Sequence, residues 1–362
     1  MVIFPIITIF FFTSMLNEGS PTNLPVGVVD LDNSSTSRQL IQRLDAFQMS
    51  EVVARYNNIN EARQAIQRNE IYAFLYIPKG TADKLVSARQ PKISFYYSNT
   101  SLVAGSMLFK DLKTIATLGS AGATKARLEA MGKTENEVKA FLQPIHVDLH
   151  MIHNPWANYN IYLTTMIVPG IFFLFIFLIS AYSIGTELKF KESKKWLALA
   201  DNNMGVALAG KFLPQTLIFL TLFYAFELYI YYFLDFPHPG GIVPILLLGL
   251  LTVLSGQGFG IFIFGLVPSL RMSMSVCSLW GVLSFTTSGS TFPVFAMSPM
   301  IEAIAQLFPL RHYYMMYQMC IFNGYSLTYA WFHILALCIF IVLPIFTIRN
   351  IKRAMLIYTY IP

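Results

Sequence analysis

The chain has 362 residues, is 55% hydrophobic and only 12% charged, and carries a net charge of +6. A soluble globular protein has about a quarter charged residues, so this composition excludes a chain that is soluble throughout. It does not point to nucleic acid either, because the lysines and arginines gather beside apolar runs and form no basic face with interleaved aromatics.

In chain order, the first run is MVIFPIITIFFFTSML. It lacks the positive n-region and small-residue cleavage site of a signal peptide, so residues 1–16 are expected to form a first transmembrane helix, cut short by a late start. Residues 17–155 hold most of the charge and read as a soluble insertion. LPVGVVD, EVVARY, IYAFLYIP and KISFYYSN are strand-like runs. SSTSRQLIQRLDAF, NINEARQAIQRNE, TADKLVSAR, residues 101–131 and ENEVKAFL are helical, several of them opening on capping residues. IHVDLHMI alternates as a strand does. Alternation of strands and helices implies a small α/β domain built on one sheet.

Residues 156–362 return to long apolar runs. The expected spans are 1–16, 161–184, 206–234, 242–267, 272–292 and 331–348, of the length that crosses a bilayer core. Basic residues follow the second, fourth and sixth: Lys189, Lys191, Lys194 and Lys195, then Arg271, then Arg349, Lys352 and Arg353. The positive-inside rule puts these segments and both termini in the cytoplasm, with the soluble insertion outside. The fold class expected is therefore a six-helix polytopic membrane protein with an inserted extracytoplasmic α/β domain. Cys277, Cys320 and Cys338 all lie in or beside apolar runs and read as small buried hydrophobes.

Three stretches carry a family resemblance: LPVGVVDLDNSSTSRQLIQRL with AFLYIPKGTADKL, the polar break from Glu187 to Pro214, and TSGSTFPVFAMSPMIEAIAQLFPLRHYYMMYQ. Together they resemble the ABC type-2 permeases, the membrane subunits of bacterial export ATPases. The resemblance covers nearly the whole chain. Two features depart from the family pattern: no cytoplasmic segment precedes the first run, and LKFKESKKW stands where family members carry a REREYGTLE-like loop. The resemblance implies a separate ABC ATPase subunit that holds the ATP and magnesium, a second permease (identical or related), and in some systems a periplasmic adaptor and outer-membrane channel. It also implies the bacterial inner membrane.

GVALAGKF, residues 205–212, nearly matches a phosphate-binding loop, but Phe212 stands where a hydroxyl must bind magnesium and no strand precedes it. The chain is thus expected to have no nucleotide site and no cofactor of its own, and to be no enzyme. ELKFKESKKW, within the polar segment 185–205, reads two ways. Its charges anchor topology, or it forms a coupling helix in which Glu187, Lys191, Glu192, Lys194, Lys195, Trp196 and Leu197, with Leu199 beyond, meet the ATPase.

Glu227 is costly inside a span. Some 20 residues along its run, it is expected near the outer boundary, as a wetted interfacial residue or with a role in a substrate path or in proton coupling. The fifth span is rich in small hydroxyl residues. Ser284, Thr287, Ser288, Gly289, Phe292, Pro293 and Pro309 either pack within one subunit or line a cargo path. Residues 293–312 read as a re-entrant segment and outer gate, with Ile301, Ile304, Ala305 and Phe308 on one apolar face. His146, Asp148, His150 and His153 allow a metal site, although the polar face of an exposed strand explains them without metal.

The expected function is a permease moving a small amphipathic or lipid-like cargo outward along a permease dimer interface, powered by the partner ATPase. The alternatives are an ion-coupled secondary transporter and a non-transporting receptor with an outer sensing domain.

Overall fold

A computed structural model describes residues 1–87, 89–143, 154 and 157–357. It divides into two compact units, one of residues 1–19 with 151–362 and the other of residues 20–150. The first begins with helix α1 (Ile3–Met15).

The second unit contains β1 (Leu24–Asp30), α2 (Ser35–Asp45), β2 (Ser50–Arg55), α3 (Ile59–Gln67), β3 (Ala73–Ile77), α4 (Thr81–Val86), β4 (Ser94–Tyr97), α5 (Leu102–Ala130) and α6 (Glu135–Leu142). The sheet order is β2-β1-β3-β4; β1 pairs in parallel with β2 and β3, and β4 closes the edge antiparallel to β3. Strand β1 is buried on both faces, as a central parallel strand must be. Val26 and Val28 point to Ile41 and Leu44 of α2 and to Leu108, Leu112 and Ile115 of α5; Val29 points to Ala62 and Ala65 of α3.

The segment after β1 explains its unusual polarity. Asp30 Oδ1 accepts from the backbone N–H of Asp32 and Asn33, both at 3.0 Å, and Oδ2 accepts from the Ser37 hydroxyl at 2.7 Å. Asp32 accepts from Thr81 N at 2.8 Å and Ala82 N at 3.2 Å, capping α4. Ser34 caps α2. The aspartates and serines of VVDLDNSSTS thus satisfy orphan N–H groups at two helix starts where β1 and β3 end. The expected strand IHVDLHMI lies outside the described residues.

In the first unit, α1 is followed by α7 (Tyr159–Lys189), α8 (Ser193–Ala198), α9 (Met204–Leu228), α10 (Ile242–Leu266), α11 (Leu270–Thr287), α12 (Pro299–Ala305), α13 (Pro309–Met316), α14 (Trp331–Val342) and α15 (Pro344–Ile357). Helices α9 and α13 each run on into a wider π-helical turn, Tyr229–Phe233 and Tyr317–Phe322. Among the described residues, four helical stretches are long and apolar enough to cross a membrane: Tyr159–Lys189, Met204–Phe233, Ile242–Leu266 and Leu327–Ile357. The other two expected spans correspond to α1, of 13 residues, and α11, of 18, which is interrupted by serines and threonines. The last expected span is extended at its C-terminal end. Leu343 stays helical ahead of Pro344, so Arg349, Lys352 and Arg353 sit on α15 rather than after it.

Helices α7 and α10 form the centre, with 61% and 67% of their most apolar stretches buried, against 17% for the last helix. Close approach explains the glycines of α10. A Cβ on Gly260 would meet the backbone of Phe177 in α7 at 2.8 Å, and one on Gly258 would strike the Phe340 carbonyl in α14. Phe172, Phe173, Phe177, Phe223, Phe226 and Phe259 fill the space between. Cys277 and Cys320 are buried free thiols, and Cys338 is half-buried.

Candidate functional site

The polar segment 185–205 is mostly helical. Helix α7 runs on to Lys189, and α9 starts at Met204 on an Asn203 cap. Between them, left-handed residues at Lys191 (φ 61°), Asp201 (φ 50°) and Asn202 (φ 57°) turn the chain on either side of α8. Helix α8 is held on three sides. Leu197 is fully buried among Ile184, Leu188, Met204, Phe264, Ile351 and Met355. The Ser193 hydroxyl donates to the Met355 carbonyl at 2.9 Å. Trp196 lies under the Lys211 ammonium, 4.9 Å from the ring centroid.

Lys211 also donates to the Glu187 carboxylate, and each side chain is less than a fifth exposed. One turn deeper, Gln215 Nε2 donates to Ser183 Oγ at 2.8 Å, and beside it Thr216 Oγ1 donates to Gln257 Oε1 of α10 at 2.7 Å. Lys211 and Gln215 face Glu187 and Ser183 as rungs of one polar ladder between antiparallel helices. Each pair is spaced i, i+4 in an otherwise apolar sequence, which is the signal by which the ladder could have been read.

Of the expected contact set, Leu197 fills a core and Glu187 pairs with Lys211. Lys191, Glu192, Lys194 and Lys195 are exposed, with Lys195 paired to Glu192 at 3.2 Å; Trp196 is half-buried. The apolar groups that this surface offers are Leu199, 84% exposed, and Phe190, 65% exposed, the latter not anticipated. The near-match to a phosphate loop, Gly205–Phe212, is regular helix, and its lysine is Lys211 of the ladder.

Glu227 is not wetted. It is 4% exposed, and its Oε2 has no hydrogen-bond partner. Burial follows from its neighbours in sequence, since Phe223, Phe226 and Ile230 all point into the main core.

In α11 the small residues face inward. Ser273, Cys277, Gly281, Ser284 and, just beyond the helix, Ser288 make one buried stripe, and a Cβ on Gly281 would meet Leu174 of α7 at 2.5 Å. Ser284 and Ser288 hydrogen-bond to carbonyls of their own turn, Trp280 at 2.7 Å and Phe285 at 2.8 Å. Both are buried within the chain. The opposite face carries Met272, Leu279, Val282 and Leu283, all exposed; Thr287 is half-buried.

The re-entrant reading is also modified. Helix α12 is short, Ile301 and Ile304 are exposed, Ala305 is buried, and Phe308 belongs to the start of α13, where Pro309 is buried too. Phe292 and Pro293 are exposed and Gly289 is half-buried.

Sequence reasoning missed a buried polar group here. Arg311 and His312 are almost fully enclosed, and His312 Nδ1 lies 3.0 Å from His333 Nδ1 on α14 while Nε2 meets the Gln306 carbonyl at 2.8 Å. A carbonyl only accepts, so Nε2 carries the proton and, in neutral His312, Nδ1 accepts from His333. The residues His146, Asp148, His150 and His153 lie outside the described residues. Among the described residues no three histidine, cysteine or acidic side chains converge as a metal site.

A family model described as ABC-2 family transporter protein matches residues 1–348. No curated protein matches the chain.

Proposed function

Since this chain belongs to the ABC-2 transporter family, we propose that it is the permease subunit of an ATP-driven exporter. A separate ABC ATPase binds ATP and magnesium and pushes on the segment 187–203. In this reading that segment and both termini are cytoplasmic, the unit of residues 20–150 is outside, and the membrane is the bacterial inner membrane. Two permeases, identical or related, pair through exposed apolar helix faces such as Met272, Leu279, Val282 and Leu283 of α11. A small amphipathic or lipid-like cargo moves outward between them, and in some assemblies an adaptor and outer-membrane channel extend the route.

The observation that carries this reading is the clamping of α8. A helix that receives a mechanical push must be wired to the spans behind it. Leu197, Ser193 and Trp196 tie α8 to α7, α9, α10 and α15, while Phe190 and Leu199 stay free. An exposed apolar pair flanking a charged helix is the composition of a transient protein contact with a charged rim.

The test is co-purification of ATP hydrolysis with the tagged chain from its native membranes. We expect ATPase activity with the wild type and a tenfold or greater loss with the double variant Phe190→Asp, Leu199→Asp at unchanged chain level. Cargo efflux that persists when ATP is depleted and follows an ion gradient would overturn the proposal in favour of secondary transport.

A further inference from the structure

We propose that Arg311, at the N-terminus of α13, is the receptor for the anionic head group, a carboxylate or phosphate, of an amphiphile whose tail lies on the apolar segment 292–307.

Arg311 is 4% exposed. Its Nε has no hydrogen-bond partner, and the guanidinium makes one long bond, 3.5 Å from a terminal nitrogen to the Ser288 carbonyl. Among the described residues no carboxylate forms an ion pair with it; Glu302 offsets its charge only from beyond that range. A buried guanidinium without an ion-pair partner is costly.

Its position raises that cost. Arg311 sits in the first turn of an eight-residue helix whose cap, Phe308, has no side-chain acceptor, with no acidic residue in that turn; the Arg311 N–H bonds to the Phe308 carbonyl at 3.1 Å. The positive end of the helix dipole adds to the guanidinium charge instead of offsetting it. The two features together favour an anion at one place.

The cover over this charge is thin and polar. Ser288, Gly289 and Ser290 form a turn across it, with Gly289 at φ 97°; a Cβ there would sit 3.3 Å from the guanidinium and 3.0 Å from Val294. The Ser288 and Ser290 hydroxyls lie 3.1 Å apart, both buried, and Tyr162 on α7 donates to the Ser290 carbonyl. An anion that lifts this turn exchanges one long carbonyl contact for a charge-assisted, bidentate one. Next to it, Phe292, Phe295, Met300 and Leu307 are all more than half exposed, Phe295 at 85%. Charge beside an uncovered apolar apron fits a head group and a tail.

That the amphiphile is cargo rests on the export reading above; that the site takes an anionic head group does not. The shared chemistry also belongs to anionic phospholipid, and the experiment separates the two. The full chain is placed in phosphatidylcholine nanodiscs, and binding of dodecyl phosphate and of dodecyltrimethylammonium is measured below their micellar concentrations. We expect at least a tenfold preference for the phosphate, lost in Arg311→Met and reduced only a few-fold in Arg311→Lys. Unliganded Arg311→Met should melt no lower than the wild type, which a purely structural arginine would not allow.

Equal affinity for the two amphiphiles in the wild type overturns the proposal without any variant, so a variant that fails to fold leaves it testable. So does a phosphate preference that survives Arg311→Met. If bilayer lipid is the occupant, phosphatidylglycerol nanodiscs raise the wild-type melting temperature and compete with dodecyl phosphate, both through Arg311. If cargo is the occupant, phosphatidylglycerol has no such effect and dodecyl phosphate stimulates the co-purified ATPase. Binding that is retained while transport fails counts against the export reading and leaves the site standing.

Discussion

Lys211 bridges two helices and a third element at once: its ammonium donates to the Glu187 carboxylate of α7 and covers the ring of Trp196 on α8. A single cation therefore joins the polar segment to the membrane helices behind it. Because the pair is largely sheltered from solvent, screening weakens it less than an exposed pair. Lys211→Met should cost about 1–3 kcal/mol of stability and uncouple ATP hydrolysis from transport, while ATPase co-purification persists. The reversed pair, Glu187→Lys with Lys211→Glu, should recover part of the stability but not the cation over Trp196. Thermal unfolding of the four variants in a double-mutant cycle measures the first, and ATP consumed per cargo moved measures the second.

Leu197 and Leu199 are two residues apart and should behave oppositely. Leu197→Ala removes a fully buried side chain and should cost about 2–5 kcal/mol. Leu199→Ser and Phe190→Ser change exposed groups and should leave stability within about 0.5 kcal/mol, yet reduce the amount of ATPase retained by the tagged chain. Equal losses of stability in all three would show that the whole segment is structural.

Glu227 carries a buried oxygen with no partner, so it lowers stability where it stands. Glu227→Leu should raise the stability of the membrane unit by about 1–3 kcal/mol, read as an upward shift in thermal unfolding. Loss of transport in this more stable variant would assign the carboxyl a role in the cargo path; unchanged transport would make it a tolerated defect.

In the sheet-bearing unit, Asp111 lies on the buried face of α5 beside Leu108 and Leu112, with Oδ2 unpartnered. Burial holds its carboxyl above the ordinary value of 3.8, opposed by Lys110 and by Ser50. The raised folded value means that stability from the protonated form is complete below 3.8 and is lost as pH rises through the folded value. Amide exchange on α5, corrected for intrinsic rates, should therefore show protection falling over that window. Asp111→Asn should flatten the profile; a profile that stays sloped would assign it to other groups.

Much of this was legible in the sequence for physical reasons tied to particular residues. The β-branched run of β1 needs burial on both faces, and Ser34, Asn58, Ser101 and Thr134 each stand where a helix must begin. Low charge and long apolar runs pointed to the membrane. The clustered lysines marked α8 as polar surface, and Phe212 ruled out a phosphate loop. Direction was harder to read. The serines of α11 suit either a helix contact or a water-lined path, and only the packing of α7 against them shows that they are covered. Glu227 looked like a boundary residue because depth along a helix was countable, whereas enclosure by other helices was not.

Local rules thus determined the classes: which of the described stretches are strands, which are apolar helices, and where caps and breaks fall. These depend on residue type and spacing over one or two turns. The tertiary structure alone decided which of two neighbouring leucines is core, which lysine is spent on Glu187, and which arginine is buried with no ion-pair partner among the described residues. Those outcomes depend on side chains brought together from distant parts of the chain, Glu187 with Lys211, Ser193 with Met355, Ser288 with Arg311, and their burial sets the energy of each contact.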